Sequence, residues 1–378
     1  MKHKEENTMA GKEKKPNMLG LLIKAFSYQF KISPAHKQLA QKLNTMANGY
    51  PQKGAALRIL AELFTSEEAA LAVAFEEGNN TAAALAKKLG QNEVELEQKL
   101  YAMAKKGVIF HANEDGVSIY KLVPFIVGIL EFQIDNPSIP LKINMGMMFG
   151  GGFTKTFYAK SLPHLRTIPI AANVVQKDTI MPYDDVVEIL KTRKKIALGE
   201  CVCRNISDGM GKVCEHSRDT CFAFDDWADY YVDIGIAKYI TLEEALEKAA
   251  RNEKEGLINQ VANSKNPELM CSCCSCHCFV LGALNEKRGP AAGVISNYYC
   301  EFDNEKCTNC GACVKRCAVG AIKFENGVKT YDQSLCIGCG LCATVCPVHA
   351  CSLKEKSEQD HYVPLDSIFD TYKEMAEH

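Results

Sequence analysis

The sequence predicts an α+β chain built from several domains, on three observations. The first half alternates helically spaced apolar stretches with one short hairpin pattern. All 19 cysteines of the 378 residues fall between Cys201 and Cys351, so residues 1–200 contain none. Most of these cysteines stand in tight C-x-C and C-x-x-C groups, and one group recurs along the chain. The length corresponds to two or three domains at roughly 150 residues each. The formal charge of −2, from 44 basic and 46 acidic side chains, gives the whole chain no electrostatic bias toward nucleic acid or anionic membrane. A disulfide framework would spread cysteines through the loops of a small secreted domain, whereas tight clusters are a metal signature. Thiolates that must stay reduced to hold metal point to the cytoplasm.

Residues 1–17 are polar and charged, as in a disordered tail. The N-terminal helical segment, 18–53, begins with Leu22, Phe26 and Phe30 at helical spacing, a stripe suited to packing on the rest of the protein or to lying on a membrane or partner. Lys24 interrupts this run and no A-x-A cleavage site follows, which argues against a signal peptide. No apolar stretch reaches the roughly 20 residues of a membrane span; Leu122–Leu130 is too short and contains Pro124.

Over 54–132 the pattern is helical and then extended. Leu57, Ile59, Leu60 and Leu63 mark one helix over Ala55–Phe64, and Thr81–Leu89 is a second, closed by Gly90. Val94, Leu96, Leu100 and Met103 mark a third, from Asn92 to about Lys106, and Asp115-Gly116 turns a hairpin between Val108, Phe110 and Val117, Ile119. This order resembles a winged helix-turn-helix. The resemblance implies either a packing or dimerisation module or a DNA reader. Glu93, Glu95 and Glu97 at the start of the recognition helix oppose the second use, since Lys99, Lys105 and Lys106 come only later.

Residues 133–200 read as a mixed linker running into a central domain. Gly150-Gly151-Gly152 lacks the G-K-[ST] of a phosphate loop, so Gly146–Gly152 reads as a flexible joint. Asp184–Thr192 reads as helix and Lys195–Leu198 as strand. In the Cys-rich α/β domain, 201–299, Thr241-x-x-Glu244 is a capping box for a helix ended by Gly256. Residues 300–355 form a second cysteine-bearing domain, and 356–378 a C-terminal tail or helix.

The strongest pattern is Cys307-x2-Cys310-x2-Cys313-x3-Cys317, repeated 29 residues later (Cys307 to Cys336) as Cys336-x2-Cys339-x2-Cys342-x3-Cys346-Pro347. Three cysteines in a short loop reach three irons of one cube, while the fourth points to the other cube. One [4Fe–4S] cluster is therefore expected on Cys307, Cys310, Cys313 and Cys346, and the second on Cys336, Cys339, Cys342 and Cys317. Gly311 and Gly340 let backbone N–H groups approach cluster sulfur. The segment resembles a bacterial-type dicluster ferredoxin, with Ala318 where the first motif usually carries proline. Such a domain conducts electrons singly and does no substrate chemistry.

Nine further cysteines are candidate ligands of a central site: Cys201, Cys203, Cys214, Cys221, Cys271, Cys273, Cys274, Cys276 and Cys278. Thiolate-rich sites favour soft metals, so one or more additional iron–sulfur clusters are expected. The alternatives are structural zinc, on four cysteines or on three with His216 or His277, and a redox-active thiol pair. Arg204 is suited to donating to a cluster sulfide, to binding an anionic substrate, or to a surface salt bridge. Cys351 reads as a packed thiol and Cys300 as either that or a tenth central ligand. IALGECVCR, Cys214, Cys221, GLINQVANSKNP and CSCCSCHC together resemble multi-cysteine iron–sulfur proteins of anaerobes that end in a dicluster ferredoxin. The resemblance implies cytoplasmic electron transfer with redox partner proteins and names no substrate. Two other functions fit the same features: a redox-sensing DNA-binding regulator, and a reductase with substrate chemistry at the central cluster.

Overall fold

The computed structural model describes residues 30–47, 49–134, 137–153, 162–170, 174, 180–209, 213–281, 294, 296–325 and 327–377. The N-terminal tail and the amphipathic stretch through residue 29 lie outside these. Five helices come first: α1 (Pro34–Asn44), α2 (Ala55–Leu63), α3 (Ser66–Ala74), α4 (Ala82–Leu89) and α5 (Glu93–Lys105). Each start but one is fixed by a side-chain cap on orphan backbone N–H groups: Ser33, Thr65, Thr81 and Asn92 accept from residues in the following turn. Gly90 closes α4 in the left-handed conformation. Strands β1 (Phe110–Glu114) and β2 (Val117–Lys121) form the expected hairpin, with Asp115 and Gly116 at positive φ in the turn. Helix α1 falls within the expected N-terminal helical segment, while sequence patterning missed α3.

Helix α6 (Ile139–Met148) follows, and Phe149–Phe153 continues it as a wider helical turn. The expected joint at Gly146–Gly152 is therefore helical. Phe149 stacks on Phe279 with ring centroids 4.0 Å apart and Phe153 is buried, so aromatic anchors hold the glycines between them in place.

The central unit is a six-stranded antiparallel sheet in the order β3-β7-β8-β5-β4-β6, from β3 (Leu165–Thr167), β4 (Ile196–Glu200), β5 (Asp219–Phe224), β6 (Ala237–Tyr239), β7 (Ile258–Ala262) and β8 (Leu269–Cys273). Helices α7 (Val186–Thr192), α8 (Val202–Gly209), α9 (Asp226–Asp233) and α10 (Leu242–Glu255) connect its strands. Thr241 and Glu244 form the capping box of α10, and left-handed Gly256 ends it.

Strand alternation divides the sheet into two faces. Phe222, Phe224, Val261 and Met270 pack with α7 and α10. Cys221, Ala223, Ile258, Leu269 and Cys273 point the other way, into an apolar cluster that runs from Leu39 to Met375. Trp227 and Tyr230 of α9 join the hairpin unit to the sheet there. Trp227 packs on Phe110 and Phe132, and the Tyr230 hydroxyl donates to the carbonyls of Ala104 and Ile109 at 2.9 and 2.6 Å.

The C-terminal unit pairs β9 (Tyr298–Phe302) with β12 (Cys351–Glu355) and β10 (Ile322–Glu325) with β11 (Val328–Tyr331), around the short helices α11 (Ala312–Arg316) and α12 (Leu341–Thr344). The chain ends in α13 (Ile368–Glu377), whose Ile368, Tyr372 and Met375 are buried in the main core. Among the described residues no helix is long and apolar enough to cross a membrane.

Candidate iron–sulfur and thiol sites

In the C-terminal unit the two cysteine motifs adopt the same backbone path. Asn309, Gly311 and Gly320 have positive φ, and so do Gly338, Gly340 and His349, each 29 residues further on (Asn309 to Gly338). The repeat is thus one of conformation as well as spacing. At Gly340 a side chain is doubly excluded, because φ is +80° and a Cβ would stand 2.9 Å from Leu353 Cδ1.

The loops form two cavities. Cys307, Cys310 and Cys313 line one with Cys346, and Cys336, Cys339 and Cys342 line the other with Cys317. The fourth thiol of each motif therefore lies in the other motif's cavity. Four thiols round a cavity, with glycine loops beside them, fit the donor set of a cubane. Cys300 and Cys351 also lie here: Cys351 borders the first cavity and Cys300 the second, 3.3 Å from Cys342 Sγ. Cys300 is thus remote from the central thiols, because β9 carries it into the C-terminal pair of strands. Lys329 Nζ lies 3.5 Å from Cys307 Sγ, a cation beside the first cavity.

The central nine cysteines divide into six and three. Cys271 and Cys273 share a face of β8, and Cys221 stands directly opposite Cys271 on β5. Cys201 follows β4, where its N–H donates to Arg218 O, and Cys203 lies on the first turn of α8. Cys278 closes the turn after β8 through its N–H to Cys274 O. These six line one cavity, which Cys274 also borders. Their thiols hydrogen-bond in series, and the directions alternate. Neighbouring thiols hold Cys201, Cys271 and Cys278 below the ordinary thiol range and push Cys203, Cys221 and Cys273 above it.

Glu131 and Gln260 are among the other residues that line the same cavity. Glu131, from the cysteine-free half, is buried and its carboxyl is pushed up to about 8 by burial, partly offset by the N–H of Gly128. Its sequence signal was a lone acid in the apolar run from Leu122 to Phe132. Gln260 on β7 is fully buried, and its amide oxygen and nitrogen have no hydrogen-bond partner among the described residues. An orphaned amide facing six thiols fits a bound group that offers donors or acceptors, such as cluster sulfide.

The other three, Cys214, Cys274 and Cys276, gather with His277, all ligand atoms lying within 4.8 Å of one another. His216 is not in this group. Arg204 lies beside it, wholly buried. It donates to Ser217 O at 2.8 Å, Thr220 Oγ1 at 2.6 Å and Ser272 O at 3.1 Å. The surface salt bridge considered for it is thereby excluded, because α8 turns this residue inward.

Two basic residues at the C-terminal end of α5, Lys105 and the capping Lys106, are engaged within the molecule. Lys105 pairs with Asp233 of α9, and Lys106 with Glu68 at 2.8 Å.

Among known proteins, residues 306–350 match the family model of the 4Fe-4S dicluster domain. No match was found among curated proteins or among solved structures. With the cysteines gathered at the repeat, this match identifies the chain as an iron–sulfur protein whose C-terminal part is a ferredoxin-type domain.

Proposed function

We propose that the protein carries electrons between an external redox partner and a third iron–sulfur site in the six-thiol cavity, by way of the ferredoxin-type domain. In this reading Cys307, Cys310, Cys313 and Cys346 ligate one [4Fe–4S] cluster, and Cys336, Cys339, Cys342 and Cys317 the other. Cys201, Cys203, Cys221, Cys271, Cys273 and Cys278 supply the ligands of the central cluster. Bound clusters supply low-potential one-electron transfer; the chain fixes the order in which electrons meet them.

The observation that carries the reading is the asymmetry of the two C-terminal cavities. Ile337, Leu341 and Cys339, around the second cavity, pack into the main core, and Ile170 N–H donates to Cys339 O. Arg316 of α11 fastens the domain to the end of α10 through the carbonyls of Glu253 and Lys254. Cys310, by the first cavity, is exposed. The second cavity thus faces the central sheet and the first faces a partner.

The order of α2 to β2 supports the winged-helix reading of 54–132. The engagement of Lys105, Lys106 and Tyr230 supports its use as a packing module. Reduced thiols at all these positions call for a reducing compartment, as in the cytoplasm of an anaerobe.

Iron and acid-labile sulfide analysis of the anaerobically purified full chain tests the proposal. More than about eight irons per chain are expected, since two cubanes account for eight. Cys271→Ala should remove the excess and leave the ferredoxin EPR signals in place. A wild-type count of eight would overturn the central cluster.

A further inference from the structure

Cys214, Cys274 and Cys276, of which Cys274 also borders the six-thiol cavity, form a group with its own geometry. Cys214 Sγ stands 3.9 Å from Cys274 Sγ and 3.8 Å from Cys276 Sγ, and the His277 ring completes a set within 4.8 Å. A tetrahedral zinc with Zn–S bonds of about 2.3 Å holds its sulfurs about 3.8 Å apart, by the geometry of a regular tetrahedron. A disulfide needs sulfurs about 2.05 Å apart. The spacing therefore suits one small ion and no disulfide.

The charge of the surroundings points the same way. Arg204 is wholly buried, and its guanidinium reaches Cys274 as well as Ser217, Thr220 and Ser272. No carboxylate pairs with it among the described residues, and its charge partners are Cys201 of the six-thiol cavity and Cys274 of this group. A buried cation needs a counter-charge. One zinc, three thiolates and a neutral imidazole together carry a charge of −1, whereas three neutral thiols offer none.

We propose that Cys214, Cys274, Cys276 and His277 bind a single structural zinc ion, separate from any iron–sulfur cluster. Cys274-x-Cys276-His277 supplies three ligands from the turn after β8, and Cys214 the fourth from the loop between α8 and β5. That turn is bracketed by Cys273 and Cys278, so the ion braces two ligands of the six-thiol cavity from behind. This inference goes beyond the proposed electron path and stands whether or not the larger cavity holds iron.

The test is metal analysis and zinc X-ray absorption on the anaerobically purified full chain. One zinc per chain is expected, surrounded by three sulfurs and one nitrogen. Cys276→Ser should lose the zinc while the ferredoxin EPR signals persist. His277→Cys should keep one zinc and change its surroundings to four sulfurs, a readout that does not depend on destabilising the fold. Wild-type protein without zinc, zinc without a nitrogen ligand, zinc retained unchanged in Cys276→Ser, or iron in this site would each overturn the proposal.

Discussion

In the ferredoxin-type domain eight cysteines come from two loops of one design, whereas the nine central cysteines arrive from separate stretches of chain and meet because a sheet brings them together. The interiors differ as much as the ligand sets. One buried cluster of the C-terminal unit gathers Cys300, Cys313, Cys342 and Cys351 with Ile322 and Ala343. The central sheet has Phe222, Phe224, Val261 and Met270 on one face and a far larger apolar cluster on the other. A domain with thiols at the centre of its packing depends on what the thiols hold. A sheet with aromatic and aliphatic cores on both faces does not.

The largest effect expected from this contrast appears on removing iron. In iron-depleted full-length protein, amides within 300–355 should lose hydrogen-exchange protection by orders of magnitude, while those of β5, β7 and β8 keep theirs. Simultaneous loss in both regions would erase the distinction. Next in size is Cys317→Ala. Because Cys317 borders the cavity of the second motif, the variant should lose about four irons, one cubane's worth, with the EPR signal of the Cys307–Cys313 loop preserved. Loss of that signal instead would reverse the interleaved assignment.

The same contrast explains what was legible in the sequence. The ferredoxin repeat is local: each three-cysteine loop is seven residues long, and Gly311 recurs as Gly340 at the same offset. The cavity partners Cys346 and Cys317 could be named from spacing alone. In the central domain the nine cysteines read as candidate ligands, but their division into six and three did not. That division depends on β8 register, on Cys221 standing opposite Cys271, and on a turn that sends Cys274 and Cys276 away from Cys273. Helices with strong caps, such as α4, α5 and α10, were legible, while α3 was overlooked although Thr65 caps it. Gln260 was invisible as a site residue, and Glu131 left only the mark of a lone acid in an apolar run, since packing of the first half onto the sheet is what brings it to the thiols.

A smaller effect should come from Arg204. Arg204→Leu leaves Ser217 O, Ser272 O and the Thr220 hydroxyl without their charged donor inside the central unit. A loss of roughly 3 kcal/mol is expected, as for a disrupted buried charge site. It should be read from the urea midpoint of the anaerobic protein by Trp227 fluorescence. Trp227 is the only tryptophan and lies in the central core, so the signal excludes the ferredoxin-type domain. A midpoint within error of wild type would mean that the central thiols need no buried cation.

The smallest expected effect is a slope with pH, and it separates the sheet from its C-terminal helix. Glu268, just before β8, accepts from Ile368 N–H at 2.8 Å and from the Ser264 hydroxyl at 3.0 Å, tying α13 to the sheet. Burial pushes its carboxyl up from 4.5 to about 7, and these two donors only partly offset the rise. Between those values the folded chain holds a proton that the unfolded chain has released, so unfolding releases that proton and stability falls as pH rises. One proton sets the limit at about 1.4 kcal/mol per pH unit. Glu268→Gln keeps an oxygen for Ile368 N–H and removes the titration. Its Trp227-detected stability should therefore fall less steeply than wild type between pH 5 and 7, the span marked by the two values. Glu131 titrates in both proteins and cancels in the comparison. Equal slopes would show that Glu268 is ionised in the folded state, held there by the α13 contacts against the cost of its burial.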